Sequence, residues 1–76
     1  MDANALNILI NYSMTARKSE KRDFVTYMIQ LTMIENPNDL LRPEDKEDLE
    51  RYIKRERYAD VKWAMMVLKD YLFPKE

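Results

Sequence analysis

Apolar residues recur every three or four positions through four stretches of this chain, with polar residues filling most of the intervals. That spacing predicts helices with buried faces, because 3.6 residues per turn brings positions i, i+3, i+4 and i+7 to one side. The last stretch, Ala59 to Phe73, is the one the rest is organised around. Val61, Ala64, Met65, Leu68 and Leu72 line one of its faces, while Trp63, Met66, Val67 and Phe73 line much of another. A surface helix needs only one apolar stripe, so this helix asks for cover on two sides.

The chain in order predicts helices over about residues 3–17, 19–34, 43–56 and 59–72. In the first, Ala5, Ile8, Leu9 and Tyr12 share a face, with Leu6, Ile10 and Met14 beside it. Asp2 or Asn4 suits its N-cap, and Arg17 and Lys18 place cations at its other end. Ser19 is the next N-cap, followed by Glu20 and Asp23 in the first turn, where the helix dipole favours negative charge. Phe24, Tyr27, Met28 and Leu31 form one stripe of this second helix, and Val25, Ile29, Thr32 and Met33 a second. Its β-branched residues make a strand conceivable, but strict alternation is missing and helix is the better reading. A helix running through Ser19 without a break is the alternative there.

Asn36-Pro37 is the clearest interruption, since the residue before proline disfavours helical backbone. Asn36 is also the candidate for a left-handed C-cap. Leu40 and Leu41 are expected to tuck under the bundle in a loop or a single helical turn. Pro43 opens the third helix at the position where a missing N–H costs nothing. Glu44, Asp45, Glu47 and Asp48 load its start with negative charge, and Glu47–Arg51 and Glu50–Lys54 are spaced as i,i+4 ion pairs. Its stripe of Leu49, Tyr52 and Ile53 is narrow and would reach the charged Glu56 and Asp60 if continued. A turn is therefore placed near Arg57-Tyr58, with a continuous bent helix as the alternative.

Composition narrows the fold to a single all-α domain spanning residues 1–76, a small four-helix bundle. The 76 residues include no glycine, no cysteine and no histidine. Without glycine, hairpins, phosphate-cradling loops and nucleophile elbows lose their usual turn residue. Without cysteine and histidine, disulfides and zinc sites are excluded, and no calcium-loop pattern is present. Chains this short have marginal cores and lean on disulfides, metals or oligomerisation. Oligomerisation is the aid left, and a homodimer is expected.

Charge adds little attraction for a polyanion, with 13 Lys and Arg against 14 Asp and Glu. The residues at the start lack a basic signal region, and no apolar run approaches the ~20 residues of a membrane span. A cytoplasmic protein with no membrane association is expected. No histidine, cysteine or activated serine is positioned for catalysis, so no enzymatic activity and no cofactor are expected. The carboxylates at the start of the third helix are read as solvated.

Two functional surfaces remain. Trp63, Met66, Val67 and Phe73, with Val25, Ile29 and Met33 as a second surface, are the candidate protein interface, because aromatics and methionine are enriched at interface centres. The expected function is a regulatory homodimer that binds and modulates another protein. The alternative is a nucleic-acid-binding dimer using Arg51, Lys54, Arg55 and Arg57, since phosphate contacts need clustered cations. Arg17, Lys18, Lys21 and Arg22 form a further basic cluster near the first turn.

Overall fold

The computed structural model describes residues 1–74, and those residues hold four α-helices and one 3₁₀ turn. The helices are α1 (Ala3–Thr15), α2 (Glu20–Leu31), α3 (Pro43–Arg55) and α4 (Ala59–Leu72). The 3₁₀ turn is Pro37–Asp39. The all-helical architecture follows from the apolar periodicity, and the helix starts sit where local signals put them.

Three helix starts obey the chemistry of their first residues. Asp2 Oδ1 accepts the Ala5 N–H at 3.0 Å, and Ser19 Oγ accepts the Arg22 N–H at 3.1 Å. Both bonds satisfy amides that have no partner inside the helix. Pro43 occupies the first position of α3, and the Asp45 carboxylate folds back to accept the Arg42 N–H at 3.0 Å. Asp45 is buried. Ser19 does separate α1 from α2, so the two helices are not continuous.

The helix ends differ more from the sequence pattern. α1 stops at Thr15, two residues short of Arg17. The cation at its end is instead Arg22, which reaches back from α2 to donate to the Ala16 carbonyl at 3.3 Å. α2 stops at Leu31, not Ile34. Thr32 Oγ1 donates to the Ile29 carbonyl at 2.6 Å, and the next amides make i→i+3 bonds. The ladder thus tightens and ends without a left-handed residue. Asn36 has φ −126°, so it is not the left-handed cap, and no described residue has positive φ. A chain with no glycine turns its corners within the ordinary backbone regions. Leu41 packs against the core, while Leu40 stays exposed.

α4 is the hub. It packs against α1, α2 and α3, and α1 also packs on α2. Val61, Ala64, Met65, Leu68 and Leu72 from α4 meet Ala5 and Leu9 of α1, Leu49 of α3, and Val25, Met28, Ile29 and Leu31 of α2 in one core. The Phe24 and Tyr52 rings close the gap between α2 and α3, 5.4 Å apart and tilted at 44°.

Glu56 explains why the third stripe runs into charge. It sits in the turn between α3 and α4 with its side chain only 4% exposed, and its carboxylate pairs with Lys21 of α2. Its other oxygen accepts the Tyr58 N–H at 3.4 Å. The Lys21 ammonium also lies 5.2 Å from the centre of the Tyr12 ring. This contact ties the α1–α2 turn to the α3–α4 turn. α1 and α3 therefore end, and α2 and α4 begin, at one pole of the bundle.

Candidate functional site

The face of α4 opposite the core leaves Trp63 and Met66 half exposed, while Tyr71, exposed to a similar degree, lies at the flank of the helix. At 100° per residue, Val61, Ala64, Met65, Leu68 and Leu72 cluster about one direction, and Ala59, Trp63, Met66 and Asp70 about the reverse. Trp63 is 44% exposed and Met66 49% exposed. Val67 and Phe73 flank them, partly buried against the core. Three residues of the candidate interface thus share one helix, with Trp63 and Met66 at the outer face and Val67 at its margin, and Phe73 caps the end of that helix.

The second surface expected from the sequence does not exist as a surface. Val25 and Ile29 are buried in this chain's own core, at 0% and 5% exposure, and Met33 is exposed in the turn after α2. The two stripes read on α2 are halves of one broad face, because Val25, Met28, Ile29 and Leu31 are buried together between α1 and α4. On α4 the stripes are truly opposed; on α2 they are adjacent.

Beside Met66 runs a shallow groove of about 390 Å³ between α3 and α4, lined by Glu50, Ile53, Lys54, Met66, Lys69 and Asp70. Two of the lining residues, Ile53 and Met66, are apolar, and the other four carry charges of both signs. Lys69 Nζ lies 3.5 Å from the Glu50 carboxylate and fastens the two helices at that rim. The pattern of α3 alone suggested Glu50–Lys54 and Glu47–Arg51 pairs. Instead Glu50 reaches across to α4, and Arg51 pairs with Asp48. The groove was not legible beforehand, since it depends on which side of α3 meets α4.

The basic residues are rearranged by the fold as well. Arg51, Lys54, Arg55 and Arg57 are all exposed, but they do not form a uniform stripe. Arg51 is neutralised by Asp48, and Lys54 turns into the groove beside Glu50 and Asp70. The Lys21–Glu56 contact brings Arg55 and Arg57 to the same pole as Arg17 and Lys18, with Tyr58 exposed among them. Two basic clusters that are distant in sequence thereby share one end of the bundle.

Burial pulls the Lys21 ammonium towards a lower pKa. The hydrogen bond and charge attraction of Glu56 outweigh that, with a smaller contribution from Tyr12, and hold it above its ordinary 10.5. Lys21 is therefore a charged structural lock rather than a proton donor at neutral pH.

Among the described residues no helix is long and apolar enough to cross a membrane, and no group of three or more carboxylates converges on a metal position. No protein-family model matches this chain, and neither does any curated protein or any solved structure.

Proposed function

We propose that this chain is a non-enzymatic helical module that self-associates as a homodimer through α4 and acts by binding and modulating another protein. The observation that carries this reading is the half-exposed pair Trp63 and Met66, set opposite the core on the helix that holds the bundle together. Tryptophan is prominent among the residues that dominate binding energy, and methionine adapts to the surface it meets. A groove lined in part by Ile53 and Met66 runs along the same helix.

Light scattering over a range of protein concentrations tests the reading. A mass that rises from one chain to two supports it. The Trp63→Ala/Met66→Ala variant removes apolar surface without touching the buried stripe, so it should remain helical by circular dichroism and become monomeric. A folded dimer in that variant would place the interface elsewhere.

The pole shared by the two basic turns supports a second reading, a dimer that binds nucleic acid through Arg17, Lys18, Arg55 and Arg57. Phosphate binding must weaken steeply with salt. A gel shift at low salt that vanishes at high salt would favour this reading, and no shift at low salt would remove it.

A further inference from the structure

We propose that the second copy docks on α4 antiparallel to the first, about a two-fold axis passing beside Met66, so that Lys62 of each copy meets Asp70 of the other. This deepens the self-association proposed above and rests on it.

A two-fold interface is self-complementary: what residue i presents, its counterpart must accept. In an antiparallel helix pair centred on Met66, a residue n positions before it faces the residue n positions after it. Lys62 and Asp70 lie four before and four after. With Met66 they form an i±4 ridge, the kind of row that packs between helices. Each charge stands about 6 Å along the axis from Met66. Both side chains are exposed, and neither has an ion-pair partner among the described residues. The symmetry then forms the Lys62–Asp70 pair twice.

A partner of unrelated sequence would impose neither of these two symmetric charge matches on α4. They single out a second copy as the occupant.

The size of the contact sets its strength. A standard stable interface covers roughly 800 Å² per partner, about a seventh of this chain's 5600 Å² surface. A 14-residue helix spans ~21 Å, and one face of it supplies only part of that area. The contact therefore sits at the low end of interface sizes, the class of weak, transient association.

The chain has no cysteine, so Met66→Cys introduces one thiol beside the axis. Helix axes 8–10 Å apart bring facing Cα atoms to about 5 Å, within the range a disulfide spans. With oxidised glutathione, Met66→Cys should give a disulfide-linked dimer as its main product. Sedimentation equilibrium should show Lys62→Glu and Asp70→Lys each weakening dimerisation about ten-fold, because each creates two like-charge pairs. The Lys62→Glu/Asp70→Lys double variant should return to within about three-fold of the original affinity. A dimer whose Met66→Cys form does not cross-link, or whose double reversal binds no better than the singles, overturns this register and leaves self-association standing. A monomer at every concentration up to the millimolar range overturns both.

Discussion

Lys21→Met should destabilise the fold by about 2 kcal/mol, although the lysine lies outside the apolar core. The cost arises at Glu56, whose carboxylate is almost fully covered and would lose its counter-ion. Breaking a fully buried pair costs about 3–5 kcal/mol, because an uncompensated charge remains. Exposed pairs are worth about 0–1 kcal/mol. Lys21 is 29% exposed, so solvent screens its side of the pair and the value falls between these limits. A chain of this length has roughly 4–11 kcal/mol of stability in total, so the effect is large. Urea titration followed by far-ultraviolet circular dichroism would read it. At a slope of about 1 kcal/mol/M the midpoint falls by about 2 M. Lys21→Met/Glu56→Gln should recover about 1 kcal/mol, since the stranded charge is gone while Gln still accepts the Tyr58 amide. A single-variant cost below about 0.5 kcal/mol, or strictly additive costs in the double variant, would refute the account of Glu56 as a covered, paired charge.

The same pair fixes a pH dependence. The Lys21 pKa is raised on folding, so its contribution is complete below its unfolded value and is lost as pH climbs through the folded one. The stability difference between the original chain and Lys21→Met should therefore hold steady from neutral pH to about pH 10 and shrink above 10.5; paired urea titrations at pH 8 and 11 would show it. Asp45→Ala removes the carboxylate that accepts the Arg42 amide at the start of α3 and should cost about 1 kcal/mol in the same assay. Leu68→Ala opens a cavity in the middle of α4, where the side chain is fully buried, and should cost about 2–5 kcal/mol. At about 4–8 °C per kcal/mol for a chain of this size, the melting temperature should fall by at least about 8 °C, as a thermal melt would reveal.

The periodicity of apolar residues determined the four helices and which face of α1, α3 and α4 turns inward, since these are properties of a single helix and its own sequence. Ser19, Pro37 and Pro43 marked breaks through local backbone chemistry, and Asp2 and Ser19 marked caps through bonds spanning three residues. The outward position of Trp63 and Met66 was legible for the same reason: α4 carries two stripes nearly 180° apart, and this small bundle buries one of them fully and only the margins of the other. On α2 that logic misled. Its stripes adjoin, and whether adjoining stripes form one buried face or two surfaces depends on how wide a cleft the other helices offer.

Only the tertiary structure decided the pairings between elements far apart in sequence. Local spacing offered Glu50 to Lys54, yet Lys69 takes it from across the groove. Glu56 looked like a break in a stripe, and it is a covered charge matched to Lys21, 35 residues earlier. A charge inside an apolar stripe is legible as an anomaly, but its partner is not, because proximity across the bundle is created by packing and leaves no period in the sequence.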